Sequence, residues 1–331
     1  MSFVRTVLGD IEPASLGSTN YHEHLFQSSP LLPGDELDDE TLSSREAALM
    51  RGAGMAAMVE ATPLGLGRNP AATARIAAAT GLHIVATTGA HREAHYPEEH
   101  WLRGEREEKL ARRFTIELTV GCGMPDGSAE PSAAPSGPET GAAASGPAPV
   151  RAGLLKAGIG YWSITAFERR VLAAVAVAHA VTGAPVMIHL EFCTAAHELL
   201  DLLSTAGVPE SRVILAHADR NPDAGLHLEL ASRGAYLGYD GMARPKGRTD
   251  SEIITLADQV IAGGAGNRLL LGGDVARRTR YVSYGGMPGL AYLPERFIPR
   301  LADRVGAAAV DRILGGNAAR ALQWRTGPEP D

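Results

Sequence analysis

The stretch "PVMIHLEFCTAAHELLDLLSTAGVPESRVILAH", Pro185 to His217, holds two short apolar runs that each close on a histidine. The runs PVMIH (185–189) and RVILAH (212–217) are almost continuously apolar, as strands covered on both faces must be. Between them, AAHELLDLLSTAG repeats leucine at helical spacing and stops at Gly207, a residue suited to a helix end. A strand, a helix and a second strand in that order form the repeating unit of a parallel sheet.

Working outward from that unit, the same alternation recurs. TNYHEH (19–24), MAAMVEA (55–61), LHIVATT (82–88) and AGLLKAG (152–158) precede it, and AYLGYD (235–240) and NRLLLGGD (267–274) follow. A long helical pattern, AFERRVLAAVAVAHAVTG, separates the fourth and fifth runs. Eight such units predict an α/β fold, a (β/α)8 TIM barrel that occupies residues 1–331 as one domain. Residues 124–149 are rich in Pro, Gly, Ser and Ala and poor in large apolar groups, so a flexible insertion is expected there, before the fourth strand.

A net charge of −7 and a pI near 5.9 argue against a nucleic-acid binder and leave small molecules as the expected partners. The amino terminus MSFVRTVLGDIEP lacks a signal-like apolar core, and no apolar run is long enough to span a bilayer, so the expected location is the cytoplasm and no membrane partner is expected. With only Cys122 and Cys193, neither a disulfide framework nor a cysteine-based zinc site is indicated.

Barrel enzymes carry their active sites at the carboxyl ends of the strands, which is where the polar residues of these runs fall. His22 and His24 lie two apart, on one face of the first strand; Lys156 is on the fourth, His189 ends the fifth, His217 the sixth and Asp274 the eighth. Each has an ordinary structural alternative, but six independent accidents at strand ends make a poor explanation. His83, His179, His197 and His227 fall at strand starts or within helical patterns and read as structural. Lys156 is the anomaly, because an ammonium repels a metal. Addition of carbon dioxide to its neutral amine would give a carbamate, an anion able to bridge two divalent ions. Two such ions would bring four positive charges, against one negative charge from Asp274 and none from neutral histidines. A bridging carbamate and hydroxide would leave a net charge of one. Such a pair acidifies a shared water and polarises a carbonyl or phosphoryl oxygen, which is hydrolytic chemistry.

The ordered motifs HEH, LLKAG, PVMIHLE, VILAHADRNPD and LLLGGD resemble the phosphotriesterase-like group of the amidohydrolase superfamily from Val4 to Trp324. The resemblance implies a binuclear centre, usually zinc, in a (β/α)8 barrel. His22, His24 and Asp274 would hold the more buried ion, His189 and His217 the more exposed one, and carboxylated Lys156 would bridge them. It further implies that Asp274 takes the proton of the attacking hydroxide, and that the protein is a homodimer. The group hydrolyses phosphotriesters, lactones and some amides, so the loops must name the substrate.

After the third strand the chain reads TGAHREAHYP, with His91 where the branch acting on acyl-homoserine lactones tends to carry tyrosine. His91, Arg92 and Tyr96 are therefore expected to line the site. The loops YDGMARPKGRTD and DVARRTRYVSYGG bring Arg244, Lys246, Arg277, Arg278, Arg280 and Tyr281. Cations at the mouth of an acidic protein point to an anionic substrate. Lys246 and Arg277 suit the phosphate grip of family members that open phosphorylated sugar lactones, with Arg280 and Tyr281 near the tyrosine of that grip. The expected activity is binuclear zinc-dependent opening of a lactone or ester bearing an anionic group such as phosphate. The alternative is hydrolysis of N-acyl amino acids, with phosphotriester cleavage as a side activity in either case.

Overall fold

The chain enters through an antiparallel pair, β1 (Ser2–Thr6) and β2 (Gly9–Ile11), before the first of the eight apolar runs. All eight runs then become strands: β3 (Thr19–Glu23), β4 (Ala57–Glu60), β5 (His83–Gly89), β6 (Leu154–Gly158), β7 (Val186–His189), β8 (Val213–Ala216), β9 (Tyr236–Tyr239) and β10 (Leu269–Leu271). They pair in parallel and in sequence order. The Asp274 N–H donates to the His22 carbonyl at 2.9 Å and draws the two ends of the sheet together into a barrel. The structure is a computed structural model that describes residues 2–123 and 149–325, so all of the expected insertion except Pro149 lies outside the described residues.

Helices α1 (Glu40–Gly52), α2 (Pro70–Thr80), α3 (Trp101–Gly104), α4 (Glu107–Thr119), α5 (Ala166–Thr182), α6 (Ala196–Thr205), α7 (Ala224–Ser232) and α8 (Asp250–Val260) surround the strands. Their ends follow local chemistry. In α5, Thr165 and Glu168 form a reciprocal capping box, and Gly183 closes the helix at φ 72°. No helix among the described residues is long and apolar enough to cross a membrane.

Two apolar layers result. An inner one, with Val59, Val85, Leu154, Met187, Ile214 and Leu270, fills the barrel. The outer one joins strands to helices. Alternation along each strand assigns the residues: in β7, Met187 is inner while Val186 and Ile188 are outer. The three-stranded sheet of β2, β1 and β11 (Trp324–Arg325) was not anticipated. Val4, Leu16 and Leu322 join the inner layer, and Trp324 Nε1 donates to the Gly153 carbonyl at 2.7 Å, just before β6. The sheet thus closes the barrel at the amino ends of its strands and leaves the other end open.

One glycine transmits packing directly to the open end. A Cβ at Gly238 would overlap the Tyr21 hydroxyl, which bonds Asp240. Gly238→Ala is expected to lower stability by about 2 kcal/mol or more through overpacking. Urea unfolding tests this, and a variant as stable as the parent would show that the barrel interior has slack.

Candidate metal centre

Five strands deliver a ligand-type side chain to the open mouth, and the local backbone explains how. On β6 and β7, simple alternation carries Lys156 after Leu154 and His189 after Met187 toward the barrel axis. On β3 the register shifts between Asn20 and Glu23, so the consecutive residues Tyr21 and His22 both reach Asp240. On β8, alternation puts Ile214 and Ala216 inward and would turn His217 outward, but a left-handed backbone at φ 62° reverses it. Asp274 is also left-handed, at φ 42°. Such conformations are costly for residues with a side chain and recur at functional positions.

The six expected residues do come together, all buried. Asp274 Oδ1 lies 3.5 Å from His24 Nε2 and 3.9 Å from His22 Nε2. His217 Nε2 lies 2.8 Å from His189 Nδ1, and Lys156 Nζ lies 3.3 Å from His22 Nε2. Two overlapping groups, His22–His24–Asp274 and His22–His217–Asp240, bring their donor atoms within 4.8 Å of one another.

Asp240 was missed by the sequence reading, although it ends the AYLGYD run and the strand-end rule covers it. Its carboxylate accepts from the Tyr21 hydroxyl, from His22 Nδ1 at 3.2 Å, from His217 Nδ1 at 2.7 Å and from the His217 N–H at 3.2 Å. Burial alone would raise its pKa, but the contacts with His217, and then His22, hold it well below the usual carboxylate range. Beside it, burial and the Asp240 charge push Asp219 up to about 7. Glu191 plays a similar part for His189, with Oε1 2.8 Å from Nε2. Thr62 supports His24 through Nδ1 at 2.7 Å.

These partners test whether the site suits cations. Asp240 fixes the proton of His217 on Nδ1 and Glu191 fixes that of His189 on Nε2. With those protons in place the two inward nitrogens, 2.8 Å apart, are both left as acceptors, a pair suited to an electropositive species between or beside them. Burial also favours the neutral form of three of these imidazoles: His22 is lowered to about 3, His189 well below its ordinary value, and His217 is lowered as well. Neutral imidazole with its outer N–H held by a carboxylate is the form that binds metal, so the donor set fits.

Lys156 is fully buried, with Met187 Sδ at 3.0 Å and no carboxylate paired to it among the described residues. Burial lowers it to about 8, against the opposing pull of Asp274 and Asp240.

Above these residues opens a cavity of about 570 Å³. Of the residues expected to contact substrate, His91, Arg92, Arg244 and Arg277 line it. Four do not. Tyr281 is fully buried and its hydroxyl donates to the His24 carbonyl, so it props up the ligand strand. Tyr96 is buried too: its hydroxyl donates to the Leu64 carbonyl and accepts the His91 N–H. Arg280 reaches the Val275 and Ala243 carbonyls at 3.5 and 3.4 Å, tying two loops together. Lys246 is exposed at the apex of a turn in which the Gly247 and Arg248 N–H groups return to the Arg244 carbonyl, and the turn brings Arg248 to the cavity instead. Arg244 is itself engaged, with Nη2 2.9 Å from Asp274 Oδ2. Arg220 and His95, which the sequence did not single out, also line the cavity.

A profile of the phosphotriesterase family matches residues 2–126 and 139–322. The chain belongs to the phosphotriesterase family. An N-acetyltaurine hydrolase of Danio rerio is 29% identical to this family member over 97% of its chain and 98% of the relative. A phospho-furanose lactonase of Mycoplasmopsis synoviae is 27% identical over 97% and 92%. The crystal structure of a lactonase from Listeria monocytogenes superposes with a TM-score of 0.84 at 28% identity, covering 98% of this chain and 100% of that one. The phosphotriesterase family consists of binuclear metal enzymes, and this member's cluster of histidines and aspartates sits where a barrel enzyme works.

Proposed function

We propose that this phosphotriesterase-family protein hydrolyses a small anionic lactone or ester at a binuclear centre, with amides of N-acyl amino acids as the second reading. The observation that carries the proposal is the pair of inward histidine lone pairs, His189 Nδ1 and His217 Nε2, fixed by two separate carboxylates. His22, His24 and Asp274 would hold one ion and His189 and His217 the other, and Lys156, whose buried and partly neutral amine is suited to take up carbon dioxide, would serve both as a carbamate. Zinc suits the imidazole and carboxylate donors. Bound there, the two ions supply an acidified water and a Lewis acid for the carbonyl oxygen.

The protein's own groups do the rest. Asp274 accepts the nucleophile's proton and later delivers one to the leaving atom, while Arg244 on its Oδ2 holds the carboxylate in orientation. Arg248 and Arg277 receive the substrate's anionic group. Their ion pairs, to Glu252 at 3.8 Å and Asp35 at 3.4 Å, are long and solvent-screened, so an anion readily competes for them. The second reading gains from the placement of Lys246 and Tyr281 outside the cavity, since two groups of a phosphate grip are missing.

Zinc-reconstituted protein should be tested on a sugar lactone, the same lactone bearing a terminal phosphate, and an N-acyl amino acid. Arg248→Ala and Arg277→Ala are each expected to lower kcat/KM for the preferred anionic substrate by about tenfold, roughly 1.4 kcal/mol, mostly through KM. Lys246→Ala should change it less than about twofold. Equal losses in all three variants would show that the cations act only as a diffuse field.

A further inference from the structure

Three large aromatic side chains stand in solvent beside the cavity: Tyr161 is 62% exposed, Trp162 68% and Phe192 48%. Tyr161 contacts both of the others, its ring centroid 6.2 Å from that of Phe192 and 6.5 Å from that of Trp162, both edge to face. Phe192 is also part of the cavity wall. The lip therefore continues the site and is not an isolated surface patch.

The backbone beneath it is over-determined. Trp162, Phe192 and Cys193 are all left-handed, at φ 48°, 56° and 54°. Bulky residues at such angles are unfavourable, and the surroundings must hold them. Here the Trp162 N–H donates to Thr194 Oγ1 at 3.0 Å, which links the loop after β6 to the loop after β7. Asn221 Nδ2 donates to the Phe192 carbonyl at 3.3 Å and ties in the loop after β8. The aromatic faces are thus held outward and in place before any ligand arrives.

Charge divides the mouth. On the aromatic side the nearby cations are already engaged: Glu191 faces Arg92 at 3.3 Å and Arg220 at 3.7 Å. Arg248 and Arg277 follow β9 and β10, and in an eight-stranded ring β10 stands directly across from β6, whose loop carries Tyr161 and Trp162. The donor cluster lies on the floor between the two sides. We infer that Phe192, Tyr161 and Trp162 form a subsite for an apolar acyl group, and that the substrate carries this group on one side of its scissile bond and an anion on the other. Resting on the hydrolase reading above, the inference selects an N-acyl amino acid or analogous ester with a medium-length or aromatic acyl chain. The hydroxylated carbonyl side of a sugar lactone presents less apolar surface to an aromatic wall than an acyl chain does. In the reaction, water oxygen bonds to the acyl carbon, the C–N or C–O bond breaks, the leaving atom takes a proton, and the products are an apolar carboxylate and the anionic amine or alcohol.

The test keeps the head constant and varies the tail. Metal-loaded protein is assayed on N-acetyl-, N-butanoyl-, N-hexanoyl- and N-phenylacetylglycine by glycine release. From acetyl to hexanoyl, kcat/KM is expected to rise at least about tenfold, and Phe192→Ala should cut that ratio by about fivefold or more. Trp162→Ala, at a site two-thirds exposed, should reduce the ratio in the same direction and serves if Phe192→Ala does not fold. A second readout needs no turnover: hexanoate should bind the metal-free protein more tightly than acetate by calorimetry, and Phe192→Ala should erase the difference. Turnover with a flat chain-length profile, or a profile unmoved in both variants, overturns the subsite and leaves the hydrolase reading standing. Chain-length-dependent binding without turnover of any acylglycine supports the subsite and overturns the amide reading.

Discussion

Replacing Lys156 with methionine is expected to abolish hydrolysis and, in the metal-free protein, to raise stability. If the carbamate bridges the two ions, losing it should lower kcat/KM by about a thousandfold, on the order of 4 kcal/mol of transition-state stabilisation, together with the bound metal. Stability should move the other way. The ammonium is fully buried without a paired carboxylate among the described residues, and its pKa falls from 10.5 to about 8. The sign follows from proton uptake. Below about 8 both states hold the proton and the fold bears the full cost of the buried charge; between about 8 and 10.5 only the unfolded chain holds it, so stability rises with pH; above 10.5 the cost is gone. Methionine, of similar length, should therefore stabilise the metal-free protein by roughly 3 kcal/mol at pH 7 and by almost nothing above pH 10.5. Denaturant unfolding of both proteins at the two pH values measures this. A metal-free variant less stable than its parent at pH 7 would mean that the pull of Asp274 and Asp240 on the ammonium outweighs the cost of burying it.

The second large effect belongs to Asp240. Four donors converge on its carboxylate, two of them from imidazoles assigned to different ions. In Asp240→Asn one oxygen becomes an NH2, which cannot accept, so at least one donor loses its partner and one imidazole loses the contact that fixes its tautomer. Metal affinity is expected to fall about ten- to a hundredfold, and stability by about 1–3 kcal/mol for the stranded buried donor. Metal titration against a competing chelator, with unfolding measured on the same samples, tests both. If saturating metal restores most of kcat, Asp240 positions ligands; a variant binding metal as tightly as the parent would remove Asp240 from the centre altogether.

Much of this architecture was legible before any coordinates. Burial of a strand on both faces demands a continuous apolar run, and a crossover helix demands leucine and alanine at helical spacing, so the runs from β3 to β10 and the helices α5 and α6 follow from local pattern. The residues gathered at the mouth were legible for a related reason: a polar group at the end of an apolar run is conspicuous, and the topology of a barrel sends every such end to one face. The antiparallel sheet at the closed end carries no comparable signal, since β2 has three residues and β11 two, and their pairing joins opposite ends of the chain.

The loops are where local reasoning stopped. Lys246 and Arg248 are both cations in one polar segment, and only the turn closed on the Arg244 carbonyl decides that the second faces the cavity. Tyr281 looks like a substrate contact until its hydroxyl is seen on the His24 carbonyl. The inward swing of His217 depends on a left-handed backbone that the residue type does not announce, and the aromatic lip on two loops about thirty residues apart meeting at one rim. By itself, then, the sequence determined the barrel and the donors at its mouth, because periodicity and strand ends are local properties. Only the tertiary structure decided which carboxylate orients which histidine and which cations and rings face the cavity, because those depend on turns closed by hydrogen bonds between loops that the sequence keeps apart.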